Sequence, residues 1–72
     1  MSVPAKIESI DGEIAIVDVK GVKVKASLQL VENAAIGDYV LVHTGFALQI
    51  LSPEEVQDAK ENLRLLENER LS

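Results

Sequence analysis

Glycine punctuates this 72-residue sequence at Gly12, Gly21, Gly37 and Gly45, one at each turn or strand junction. Asp11-Gly12 lies between two apolar runs, which is a strong hairpin signal because glycine accepts positive φ. Lys20-Gly21 makes a second turn and Gly37-Asp38 closes a loop over 32–36. The runs themselves are β-like. Val3–Ile10 is mostly β-compatible, and Glu13–Val19 is rich in β-branched residues. In the third run Val22, Val24, Ala26, Leu28 and Leu30 alternate with Lys23, Lys25, Ser27 and Gln29. That period of two predicts a strand with one face buried and one wet. Tyr39–His43 and Phe46–Leu51 complete a set of five. Five short strands at roughly eight-to-twelve-residue spacing predict a mainly β fold, a small closed or half-closed barrel.

After Leu51 the period changes. Ser52-Pro53-Glu54-Glu55 is a helix start: Ser52 caps, Pro53 suits the first helical position, and Glu55 completes a capping box. Val56, Ala59, Leu63 and Leu66 then fall on one helical stripe that runs to roughly Glu69. Leu65 sits off the stripe. The expected organisation is a barrel over 1–51 and an amphipathic C-terminal helix over 52–72, forming one structural unit. The stripe is barely two heptads long, so docking on the chain's own barrel is favoured over a coiled coil.

The size and charge narrow the function. A chain this short buries only about 60% of its unfolded surface and offers few walls for a deep cleft. It has no Cys and a single His, so disulfides and a Cys-based metal site are excluded, and one His builds no zinc site alone. Seven basic against twelve acidic residues give a net charge of −5. Such a protein repels nucleic-acid phosphates and anionic lipid. Tyr39 and Phe46 are the only aromatics, too few for a base-stacking platform. Met1-Ser2-Val3-Pro4 leads into Lys6 and Glu8 without an apolar leader, and no stretch approaches a membrane span. The expected location is cytoplasmic.

His43 is the one imidazole and the one ordinary general base near neutral pH. At a strand end, its ordinary role is structural, with the ring bonded to a backbone group. No nucleophile and third group stand at a recognisable spacing, so no triad is supported. The carboxylates read as a solvated face, and no Asp-x-Asp-x-Asp-Gly loop offers a cation site. The glycines are dispersed and do not cradle phosphate. Pro4 suits the opening of an edge strand, since it lacks an N–H. The amino-terminal segment is then either a frayed end or a tail beside a binding surface.

Several pieces taken together resemble one family. They are Pro4-Ala5-Lys6-Ile7, Asp11-Gly12, Ala15-Ile16-Val17-Asp18 and Gly21-Val22-Lys23. The most specific is the run from Gly37 to Ala47, Gly-Asp-Tyr-Val-Leu-Val-His-Thr-Gly-Phe-Ala. The chain resembles the HypC/HupF-type hydrogenase maturation chaperones over nearly its whole length. The resemblance implies an OB-like five-stranded β-barrel followed by a helix. It implies a protein that is not an enzyme and that serves the assembly of nickel–iron hydrogenases. The implied partners are HypD and the precursor of the hydrogenase large subunit, with neither nucleic acid nor membrane involved. The implied cargo is the Fe(CN)2CO unit, handled transiently together with HypD and not kept as a cofactor. Ser2, Val3, Pro4, Lys6, His43, Gly45 and Phe46 are the implied partner-binding residues, with no catalytic and no metal-binding residue.

The sequence departs from the family at its start. The family begins Met-Cys-apolar-small-apolar-Pro, and the Cys handles iron as a soft, exchangeable thiolate ligand. Here Met1-Ser2-Val3-Pro4 is two residues shorter. Aligned on Pro4, Ser2 falls on the small position and not on the Cys. An upstream native start, a trimmed sequence and a thiol-free paralogue all fit this pattern. A Ser alkoxide is scarcely available at neutral pH, so the sequence as written is expected to bind its protein partners without holding iron through a thiolate. Two other readings compete. An OB-type nucleic-acid-binding or general protein-interaction module fits the barrel but not the charge. A small enzyme using His43 lacks the neighbouring groups it needs.

Overall fold

The computed structural model describes residues 2–58, and in it the apolar runs become five strands joined by tight turns. These are β1 (Val3–Asp11), β2 (Ile14–Val19), β3 (Val22–Ser27), β4 (Tyr39–His43) and β5 (Phe46–Leu51). Lys20-Gly21 and Thr44-Gly45 are two-residue hairpin loops with φ of 51° and 90°, and 50° and 86°. Positive φ at both positions matches the right-handed twist of the flanking strands, and glycine supplies it at the second position without steric cost. The first hairpin differs slightly from expectation. Asp11 still pairs with Ile14, so the turn is made by Gly12 and Glu13 and β2 begins one residue later.

The strand order is β1-β2-β3-β5-β4, closed into a barrel, which removes most exposed edges. Four of the five seams are antiparallel. The fifth, between β3 and β5, is parallel and consists of the single pair Ser27↔Phe46. There the Ser27 N–H donates to the Gly45 carbonyl at 2.8 Å. The interior holds Ala5, Ile7, Ala15, Val17, Ala26, Val40, Val42 and Ala47. Four of these eight are alanines, because a barrel this narrow leaves little volume inside.

The segment between β3 and β4 is tied down by backbone bonds. Gly37 N–H donates to the Ile7 carbonyl at 2.9 Å, and Ile7 N–H donates to the Asp38 carbonyl at 2.9 Å. The Asp38 carboxylate accepts from the Ala35 N–H at 3.0 Å and so braces its own turn. Leu28, Val31 and Ala34 from this segment pack against the core. The Gly-Asp pair that opens the family-like run is therefore a structural device.

The nine-residue alternation is only partly realised. β3 ends at Ser27, and Val22 and Val24 are 61% and 37% exposed instead of buried. Leu30 is likewise 61% exposed, in a turn after the strand. The physical reason is length: the β2–β3 hairpin projects beyond the part of the barrel that β4 and β5 can cover.

The helix begins as expected. Glu55 N–H donates to Ser52 Oγ at 3.1 Å and Ser52 N–H donates to Glu55 Oε1 at 3.0 Å, a complete capping box. Helix α1 covers 53–58 and buries Val56; Leu51 at the end of β5 is buried too. The rest of the predicted stripe, Ala59, Leu63 and Leu66, lies outside the described residues.

A register shift in β1 between Ile7 and Ser9 marks a bulge at Glu8. Lys23 binds Glu8 and also stands 3.5 Å from Asp18. The hydrogen bond to Glu8 raises the Lys23 ammonium above its ordinary 10.5, outweighing the opposing desolvation, and the charges of Asp18 and Glu8 add to the rise. A raised folded value means the contribution to stability is complete below the unfolded value and lost as pH climbs through the folded one. Thermal melts above about pH 10.5 should therefore fall less steeply with pH in Lys23→Gln than in the parent chain. Equal slopes would show that the ion pair does not favour the fold.

Candidate functional site

The β1–β4 seam builds the site. Val3 stands opposite Val42 and Pro4 opposite Leu41. Carried one residue further, the same register brings Ser2 level with His43. The amino-terminal segment thus lies along the end of β4, beside the turn that leads through Gly45 to Phe46. Ser2, Val3 and Pro4 are half-buried there, so the segment is seated against the barrel. Six of the seven sequence-derived residues gather at this end. Lys6 does not. It pairs with Tyr39 on one side and Asp18 on the other, three residues along β1 from Val3 and so about 10 Å away.

His43 is exposed, and the bond recorded at this position involves its backbone: Thr44 Oγ1 donates to the His43 carbonyl at 2.8 Å. Among the described residues the imidazole has no hydrogen-bond or ionic partner. The expected bond from the ring to a backbone group is not found among the described residues, and the His43 side chain is exposed. Nor does Ser2 hydrogen-bond to it, so among the described residues His43 activates no nucleophile. Among the described residues no group of three His, Cys, Asp or Glu could hold a metal ion.

Register also assembles what spacing in the sequence does not show. His43 is opposite Phe46, Phe46 is opposite Ser27, and Ser27 is opposite Ile14. Directly opposed residues share a face, so these four form one band across β4, β5, β3 and β2 on the outside of the barrel. Phe46 is 40% exposed and Ile14 44%. Ile14 and Ser27 carry no local signal of function; only the strand order brings them beside Phe46. The band is apolar with one imidazole and no fixed charge, which suits a protein surface better than an anionic ligand.

The HupF/HypC family profile matches residues 1–66. The chain belongs to the HupF/HypC family. Its relatives include hydrogenase maturation factor HypC of Cupriavidus necator, 38% identical over 66 residues, covering 90% of this chain and 70% of that protein. The HypC of Helicobacter hepaticus is 41% identical over 69 residues, covering 93% and 77%. The HypC of Escherichia coli is 39% identical over 70 residues, covering 89% and 78%. These HypC proteins are named for a role in maturation and not for a reaction. The barrel agrees with the fold that the resemblance implied. Among the described residues no helix is long and apolar enough to cross a membrane.

Proposed function

We propose that this chain is a hydrogenase maturation chaperone of the HypC/HupF type, an adaptor without catalysis of its own. It binds HypD and the large-subunit precursor of a nickel–iron hydrogenase while the Fe(CN)2CO unit is delivered. The observation that carries this reading is the family match over residues 1–66 on a barrel whose β1–β4 pairing sets Val3 opposite Val42, at the end that carries His43, Gly45 and Phe46. Both partners are met through that end, in turn. The iron unit is cargo. These 72 residues contain no thiol, so the iron stays on the ligands of HypD and this chain contributes protein contacts.

The test is purification of the chain, tagged at its carboxyl end, from its own host under anaerobic and reducing conditions. HypD and the unprocessed large subunit are the expected companions, with iron and cyanide on HypD. Iron ligated to this chain would overturn the assignment of the cargo. A parallel bait beginning Met-Cys-Leu-Ser-Val-Pro gives the contrast. If that bait alone captures the partners, binding needs the thiol and the adaptor role of the present sequence is wrong. If neither bait does, the function itself is wrong.

A further inference from the structure

Along β3, only Ser27 meets a strand on the side away from β2. In the β2–β3 hairpin the two-residue turn is flanked by Val19↔Val22, and the pairs Val17↔Val24 and Ala15↔Ala26 follow at steps of two. In an antiparallel ladder such alternate pairs exchange both of their hydrogen bonds, while the pairs between them turn theirs outward. The outward residues of β3 are therefore Lys23, Lys25 and Ser27. The Ser27 N–H does point away from β2, onto the Gly45 carbonyl. Among the described residues nothing plays that part for Lys23 or Lys25, because β5 meets β3 at Ser27 alone. Two N–H and two C=O groups are left on an exposed edge, a ready template for another strand.

The side chains say what kind of strand. Val22 and Val24 are exposed on one face of this edge, and Lys23 and Lys25 on the other. Lys23 is held by Glu8 and Asp18, whereas Lys25 has no ionic partner among the described residues. A second copy fits poorly. Antiparallel pairing about Val24 would set Lys23 against Lys25 twice, and like charges directly opposed are destabilising. The same lysines attract carboxylates.

We propose that the β3 edge takes up an extended segment of a partner protein in which apolar residues alternate with Asp or Glu. Its main chain pairs with Lys23 and Lys25, its apolar residues cover Val22 and Val24, and its carboxylates meet Lys25. This is the sheet-extension mode of peptide recognition. It uses no residue of the His43–Phe46 end and does not rest on the maturation reading.

The probe is a blocked hexapeptide of alternating Val and Glu, titrated at low salt into the full 15N-labelled chain. Amide exchange at Lys23 and Lys25 should slow at least tenfold on saturation. Lys25→Glu, an exposed change that leaves the melting temperature in place, should weaken binding at least tenfold. A peptide with Lys in place of Glu, and one N-methylated at alternate residues, should not bind. No binding at millimolar peptide overturns the proposal, as does protection confined to other residues. Dimerisation of the free chain through this edge, or slow exchange of both amides before peptide is added, shows a different occupant and overturns it too.

Discussion

Ile7→Ala should leave the chain largely unfolded at room temperature. Among the described residues Ile7, Val17 and Val40 are the largest fully buried side chains, and the other fully enclosed positions are alanines. With so few large groups inside, each carries a large share of the hydrophobic stabilisation. Removing a buried Ile side chain to Ala costs about 2–5 kcal/mol, from lost transfer energy and the cavity left behind. A domain of this size has roughly 3–5 kcal/mol in all. Ile7 is also doubly committed, since its backbone holds both Gly37 and Asp38. Urea unfolding followed by circular dichroism gives the measurement, with Ile7→Val as the mild reference at about 0.5–1.5 kcal/mol. A loss below about 1 kcal/mol for Ile7→Ala, against that expectation, would mean that the barrel wall collapses onto the gap.

The second large effect concerns binding. With HypD as the proposed partner, Phe46→Asp should weaken the association by at least tenfold while leaving the melting temperature nearly unchanged. Phe46 is an aromatic with substantial exposure, central to the His43–Phe46–Ser27–Ile14 band. Buried aromatic anchors are enriched among residues worth about 2 kcal/mol or more at interfaces, and about 1.4 kcal/mol is tenfold in affinity. A desolvated carboxylate in that place adds its own cost. His43→Ala should act in the same direction with a smaller effect. Leu30→Asp is the control: more accessible still, at 61% against 40%, outside the band, and expected to bind as the parent does. Calorimetric titration of each variant into HypD decides the matter. Equal affinities for Phe46→Asp and Leu30→Asp would remove the band from the interface.

Much of this fold can be read from residues alone, because turns in small barrels have strict chemistry. Gly21 and Gly45 mark hairpins that occur where expected, and Ser52 with Glu55 marks the helix start. The strand alternation was less informative. It separates two faces of a strand but does not say how far along the strand a barrel will cover the inner one. Val22 and Val24 have core-like spacing and lie beyond that cover. Glu8 shows a second gap, since a bulge re-aims a side chain without altering the hydrophobic pattern. For the candidate site, Ser2, Val3, Pro4, His43, Gly45 and Phe46 come from the resemblance, and the β1–β4 register brings these distant segments to one end of the barrel. Lys6 shares the segment but faces another neighbourhood. Ile14 and Ser27 join through cross-strand pairing, which no local window contains.

The β1–β4 seam also sets an order of events in the life of the molecule. Val3 and Val42 are partners across almost the whole barrel sequence. Contacts of such wide separation form late, because a long loop must close before they are rewarded. β1 can pair with β2 from Lys6 to Asp11 early, but a ribosome must release the residues through Val42 before Val3, Pro4 and Ala5 have a strand to lie against. The end of the barrel where Ser2 comes level with His43 therefore forms only after β1, β2, β3 and β4 are all in place. A partner that grips both segments grips only finished molecules, so the topology itself acts as an inspection step before docking.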